Sequence, residues 1–446
     1  MDALHPPSTV LEIAKRLEDA GFEAWCVGGA VRDALLGHPH LDWDLATSAT
    51  PDHVRQLFGK RRTIPVGIEF GTVGVLDREG VLHEVTTFRR DVRTDGRHAE
   101  VEFGASLEED LARRDFTINA IAYSPRTRAL RDPFGGQADL RRGVVRAVGD
   151  PQARMREDRL RALRAIRFAS RFGFDIDPET LRAIADSAPH LGRLSPERVK
   201  QELEKTMEQV ARPGAALVLW RATGALATLV PALATIDDIA LATLDCLPAP
   251  GPERRPQRRA TRLAALFLDH PAEAARQALT ALRFSRHDTN WIADLLERWQ
   301  ALGALMGERL GAALPPSDTD IRRWTAAIGR LNVAPFMRLA AARWRARRTA
   351  GAPAPSAAAI RDSYRRMLRS AFGDARTGRG PDPLEIRDLH IDGDVMRENG
   401  IPPGPWTGKI LKALLDAVLG DPSRNHPDWL LQEAGRLRNE ERGARS

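Results

Sequence analysis

Cysteine is nearly absent from this chain: there are two in 446 residues, Cys26 and Cys246, far apart in sequence. That scarcity excludes a disulfide framework and any cysteine-based zinc spacing. Cys26 sits in the apolar run from Phe22 to Val27 and reads as a small core residue. No apolar run approaches membrane-span length. The opening Met-Asp-Ala-Leu-His-Pro-Pro has neither the basic region nor the apolar core of a secretory leader. These absences predict a soluble, cytoplasmic protein with no membrane partner, and no obligate protein partner is evident. Lysine is also scarce, because nearly all the basic residues are arginine, the better fork for bidentate phosphate contacts. The chain is long enough for two to four domains. Basic residues exceed acidic ones by 7, with a pI of about 9.9, which favours a polyanionic partner.

The most informative stretch runs from Gly28 to Thr47. An apolar run short enough for a buried strand leads into Gly28 and Gly29, where the chain can turn and a ligand can approach bare backbone. A brief helix carrying Arg32 and Asp33 should stop near Gly37. A second short strand then holds Asp42 and Asp44, two residues apart and so on one face. Two carboxylates held that close repel unless a cation lies between them, and hard oxygen donors of this kind suit Mg²⁺ with phosphate oxygens. Arg32 and the backbone N–H groups of the glycine turn supply phosphate contacts. The pattern describes a site for a metal-bound nucleoside triphosphate. A Rossmann reading fails, because no G-x-G-x-x-G comes after the strand and the acidic pair arrives too soon.

Gly-Gly-Ala-Val-Arg-Asp-Ala-Leu-Leu-Gly followed by Leu-Asp-Trp-Asp-Leu-Ala-Thr resembles the head motif of the class II tRNA nucleotidyltransferase and poly(A) polymerase family, a branch of the polymerase-β-like nucleotidyltransferases. The resemblance covers about residues 20–210 strongly and the last sixty weakly. It implies an α+β fold: a small nucleotidyltransferase head with a mixed sheet over residues 1–145, then an all-α neck (146–210), body (211–370) and tail (371–446), the tail holding tRNA. It further implies addition of C, C and A to the tRNA 3′ end from CTP and ATP, with Asp42 and Asp44 holding Mg²⁺. Addition of A alone, or of poly(A), is the alternative.

Further along, an amphipathic helix is expected from Ser8 to Ala20 with Val10, Leu11, Ala14 and Leu17 on its apolar face. Thr50-Pro51-Asp52 is a helix opening. Gly71 to Leu76 and Val81 to Phe88 read as strands joined by a turn. Glu84, in the second, is either a third carboxylate beside the metal pair or an exposed strand residue. The polar stretch from Arg89 to Phe103 contains Asp95, Gly96, Arg97 and His98, similar to the family's flexible catalytic loop, which argues against an enzyme that adds only CC. Arg114, Asp115 and Asn119 lie in a segment resembling the family's nucleotide-ribose motif; there a guanidinium can hold a phosphate and a carboxylate can accept from a ribose hydroxyl.

From Arg156 to Phe172, helical spacing places Glu157, Arg161 and Arg164 on one narrow face, flanked by Asp158 and Arg167, with Leu163 and Ile166 toward the core. A solvated salt-bridge helix shows the same periodicity. The resemblance assigns the stretch to the family's amino-acid template. A carboxylate accepts from the exocyclic amine shared by cytosine and adenine, so Asp158 with Arg161 would select CTP and ATP over UTP and GTP. Ser195-Pro196 opens a helix that ends in Glu202, Glu204 and Lys205; it resembles the family's last signature, which implies that it supports the template. Asp269-His270 has the wrong order and no second pair for a His-Asp phosphohydrolase.

Overall fold

The computed structural model describes residues 4–38, 43–94, 99–250 and 256–443. Contacts divide the chain into two units, residues 1–234 and 235–446.

The first unit opens with α1 (Ser8–Asp19), whose buried stripe is Val10, Ile13, Ala14 and Leu17. Leu11, expected in that stripe, is 38% exposed, because the 3, 1, 3 spacing through Ile13 makes the narrower face. The chain continues through β1 (Ala24–Val27), α2 (Gly29–Leu35), β2 (Asp44–Thr47) and α3 (Pro51–Phe58). Thr50 caps α3 by accepting from His53 N–H, and Pro51 fills its first position. Then come β3 (Thr63–Gly67), β4 (Thr72–Leu76), β5 (Leu82–Thr87), the hairpin of β6 (Arg89–Thr94) and β7 (Ala99–Phe103), α4 (Leu107–Ala112), β8 (Ala122–Tyr123) and β9 (Leu130–Arg131).

Seven of these strands form one sheet in the order β3-β4-β5-β2-β1-β8-β9. It is mixed: β2 runs parallel to β5 and antiparallel to β1. One face packs Val27, Ala46 and Ala122 against Phe88, Leu107 and Leu111, which carries α4 and the segment after it toward the ends of β1 and β2. Residues 132–136 close the head. Asp132 accepts from Gly136 and Gln137 N–H at 2.7 and 2.9 Å. A Cβ on Gly136 would stand 2.1 Å from the Thr117 carbonyl oxygen, so the turn needs glycine there. The head therefore has the expected α+β architecture with a mixed sheet, and helices dominate the chain beyond it.

After α5 (Gly136–Arg142) and β10 (Val144–Val145), the helix expected over 156–172 is two helices, α6 (Pro151–Glu157) and α7 (Leu160–Phe172). Asp158 is extended, with φ −146° and ψ 104°. Its carboxylate accepts from Leu160 N–H at 3.0 Å, a local bond that competes with continuing the helix. Leu163 and Ile166 are fully buried, as the periodicity requires. β11 (Asp175–Ile176), α8 (Pro178–Ser187), α9 (Pro196–Gln209), α10 (Pro213–Ala222) and α11 (Ala225–Leu229) complete the unit. Pro196 starts α9 as expected, but Ser195 makes no side-chain cap bond.

The second unit is helical among the described residues. Asp269 receives two bonds from Arg343, at 2.7 and 2.8 Å, so its carboxylate serves an ion pair. Near the end, a small core of Met396, Ile401, Ile410, Leu414, Val418 and Leu430 is built partly on the helix Thr407–Gly420. A Cβ on Gly404 would meet the Trp406 ring at 2.5 Å, which explains that glycine by packing. Among the described residues, no helix is long and apolar enough to cross a membrane.

Candidate active site

β1 delivers the chain to Gly28 at φ 75°, a conformation that favours glycine. A Cβ there would lie 3.2 Å from an Arg114 guanidinium nitrogen and 3.8 Å from an Asp44 carboxylate oxygen. Glycine thus lets strand end, cation and carboxylate close on one point. Asp44 opens β2 directly across from Val27. On the neighbouring parallel strand, Glu84 precedes Val85 as Asp44 precedes its register partner Leu45, so the two carboxylates share a face. Glu84 is exposed. Asp42 lies outside the described residues, as do Asp95, Gly96, Arg97 and His98. Among the described residues no group of three or more His, Cys, Asp or Glu is gathered for a metal. Asp44 with Glu84 nevertheless offers the hard oxygen donors that a divalent ion takes.

A cavity of about 460 Å³ opens at this point. The head contributes Gly28, Gly29, Arg32, Asp44, Arg114, Asp115 and Asn119, and the α6–α7 turn with α7 contributes Asp158, Arg161, Arg164 and Arg167. Residues far apart in sequence thus line one space. Among the described residues, three expected site residues do not line it. Glu84 lies on the sheet face as described. Asp33 is 1% exposed beneath Arg32. The Glu157 carboxylate receives Arg154 at 2.5 Å and Arg161 at 2.7 Å.

A run of ion pairs and hydrogen bonds ties the head to α7. Arg171 donates to Asp33 at 3.1 Å, and Asp33 accepts from Arg32 Nε at 2.7 Å. Arg32 donates onward to the Asn119 carbonyl at 2.5 Å, Asn119 to Asp115 at 2.8 Å, and Asp115 accepts from Arg164 at 2.8 Å. Burial alone would raise the Asp115 pKa, but Arg164 and Asn119 outweigh it and hold the carboxyl below its ordinary value. Burial lowers the pKa of Arg32 despite the opposing Asp33. Arg161 also reaches across, donating to the Arg113 carbonyl at 2.9 Å.

Phe168 lies under three guanidiniums, those of Arg32, Arg164 and Arg167, at 4.8, 5.3 and 4.4 Å from the ring centroid. Arg167, expected on the flank of its helix, is 3% exposed and paired with Glu202, with Gln209 accepting at 3.0 Å. Asp158 accepts from Arg198 at 2.8 Å. Glu202 and Arg198 thus make α9 a brace for α7 and the turn at Asp158. Removing one partner of a buried pair strands the other charge, so Glu202→Ala should lower stability by about 3–5 kcal/mol. A urea titration against the parent chain measures this, and an unchanged midpoint would remove the brace.

Five lining residues were not expected: Arg113, Phe168, Arg171, Lys205 and Gln209. Arg171 continues the stripe of Arg164 and Arg167 at helical spacing and was readable in principle. Lys205 and Gln209 come from α9, whose approach depends on tertiary packing. Among the described residues, eight cationic side chains line the cavity against three carboxylates, Asp44, Asp115 and Asp158. Each of the seven arginines is also held by a protein carboxylate: Arg113 and Arg114 by Asp110, Arg32 and Arg171 by Asp33, Arg161 by Glu157, Arg164 by Asp115, and Arg167 by Glu202. The result is a rigid cationic wall suited to a polyanion with a planar, polar edge.

Residues 24–146 match a family model described as the poly A polymerase head domain, and residues 173–236 one described as a probable RNA and SrmB binding site of polymerase A. A CCA-adding enzyme from Geobacillus stearothermophilus is 35% identical over 447 residues, covering 96% of this chain and 98% of that one. Another, from Leuconostoc mesenteroides, reaches 49% over 197 residues, 44% of this chain and 48% of its own length. The crystal structure of the Bacillus stearothermophilus CCA-adding enzyme in complex with CTP superposes with a TM-score of 0.73 at 32% identity, covering 98% of both chains. The chain belongs to the family of the CCA-adding enzymes and carries that family's nucleotidyltransferase head.

Proposed function

We propose that this chain adds C, C and A stepwise to the 3′ end of tRNA from CTP and ATP, without a nucleic-acid template, and that it works in the cytoplasm. The observation that carries this is the single cavity in which Gly28, Asp44 and Arg114 of the head share a space with Asp158 and Arg161 of the neck. One end suits phosphates and a metal, the other the pairing edge of a base. A relative seen with CTP over the full chain length supports the same reading.

The primer's 3′-hydroxyl oxygen attacks the α-phosphorus and gives its proton to solvent, a new P–O bond forms, and the bond to pyrophosphate breaks. No covalent enzyme intermediate is needed. Arg32 and Arg114 face the phosphates together with the backbone at Gly28 and Gly29. Asp115, kept ionised by Arg164, accepts from the ribose. Asp158 accepts from the exocyclic amine, while Arg161 donates to the ring's acceptors. Asp42 and Asp44, with Glu84 as third carboxylate, would hold Mg²⁺, which supplies activation of the hydroxyl and neutralisation of the leaving group. Asp95, Gly96 and Arg97 belong to the catalytic loop. Within the chain we assign 1–145 to the head, 146–210 to the neck, 211–370 to the body and 371–446 to a tRNA-holding tail.

Primer extension with Mg²⁺ tests the reading on three tRNA transcripts, lacking CCA, ending in C, and ending in CC, each with CTP and ATP apart and together. Completion of all three with a stop at CCA is expected. Extension of only the CC-ending tRNA would make the chain an A-adding specialist. An ATP ladder would make it a poly(A) polymerase.

A further inference from the structure

Among the eight cations lining the cavity, one differs from the rest. The arginines are all held by the protein's own carboxylates, whereas the Lys205 ammonium makes no hydrogen bond or ion pair among the described residues. Its position is built rather than incidental. On α9, Arg198, Glu202, Lys205 and Gln209 succeed one another at steps of four, three and four, which is one stripe of a helix. Arg198 engages Asp158, while Glu202 and Gln209 both engage Arg167, so the stripe is turned to the template segment and the cavity. Lys205 alone in that stripe points its charge at space.

We propose that Lys205 is a further substrate-contacting residue, donating to a phosphate oxygen of either the incoming nucleotide or the primer's terminal phosphodiester. An ammonium carries three rotatable donors on a flexible stem, which suits an anion that arrives and leaves. Lys205 is exposed at the cavity's edge, within reach of an arriving anion; partial desolvation lowers its pKa, with Arg167 and Arg164 adding to that and Glu202 and Glu208 opposing. In a chain whose basic residues are nearly all arginine, the mobile cation is a lysine.

The proposal rests on the nucleotide-addition reading, so its test uses binding as well as turnover. CTP and ATP binding by equilibrium dialysis, and binding of a tRNA transcript lacking CCA across a salt series, are compared for the parent chain, Lys205→Met and Lys205→Arg. Loss of one charged hydrogen bond should weaken binding of one substrate class about tenfold or more, with Lys205→Arg retaining most of it. Weakened CTP and ATP binding assigns the contact to the nucleotide. Weakened tRNA binding, with a salt slope reduced by about one, assigns it to the primer. Unchanged binding of both substrates in Lys205→Met overturns the proposal, as does a loss in Lys205→Arg as large as in Lys205→Met. A parent chain that binds both substrates but extends no primer would instead overturn the function reading, leaving the binding result on Lys205 to stand.

Discussion

Asp44→Ala should reduce nucleotide addition by about a thousandfold or more while tRNA binding persists. A metal-holding carboxylate contributes several kcal/mol of stabilisation to a phosphoryl transfer, and each 1.4 kcal/mol is a factor of ten. Asp44 is partly exposed at the first residue of β2, and the strand's hold on the sheet comes from Leu45, Ala46 and Thr47. The substitution therefore removes the carboxylate without dismantling the sheet. Single-turnover primer extension, with a tRNA filter-binding control and a thermal melt, separates the two. Addition at more than a tenth of the parent rate by a folded Asp44→Ala chain would remove Asp44 from the metal assignment.

The second large effect concerns choice rather than speed. Asp158→Asn keeps size and shape but exchanges a charged, acceptor-only group for a neutral amide, whose carbonyl accepts more weakly from the exocyclic amine of cytosine or adenine and whose NH2 can donate to the carbonyl of uracil or guanine. Incorporation of UTP and GTP relative to CTP and ATP should rise by about ten- to a hundredfold, the worth of a charged hydrogen bond. Asp158 also holds the Leu160 N–H and Arg198, as Arg161 holds Glu157 and the Arg113 carbonyl, so a thermal melt accompanies the assay to separate recognition from packing. Competition assays with paired nucleotides read the ratio directly. An unchanged ratio in a folded Asp158→Asn chain would end the base-reading role of that carboxylate.

Much of this architecture is legible in the amino-acid sequence. The turn at Gly28, the short helix with Arg32, the strand with Asp44 and the apolar side of the template helix come from local rules about glycine, alternation and helical period. The break at Asp158 does not, because a period of 3.6 residues runs through it undisturbed. What ends the helix is one carboxylate bonding to an amide two residues on. Asp33 reads like a site residue beside Arg32, yet it is buried, because its task is to hold two guanidiniums. The Lys205 stripe is hidden for a similar reason: which face of α9 meets the cavity depends on where α7 lies.

The run of buried and half-buried bonds from Arg171 through Asp33, Arg32, Asn119 and Asp115 to Arg164 has a consequence for recombination. Its middle members come from two separate segments of the head, and both of its ends sit on α7. A chimera joined near residue 145 would ask two parents to supply matching halves of one charged lattice, and any mismatch would leave an ion stranded. Crossovers that keep residues 24–210 from one parent inherit the lattice whole. In a library of shuffled relatives, surviving clones should carry head and neck as a single inherited block.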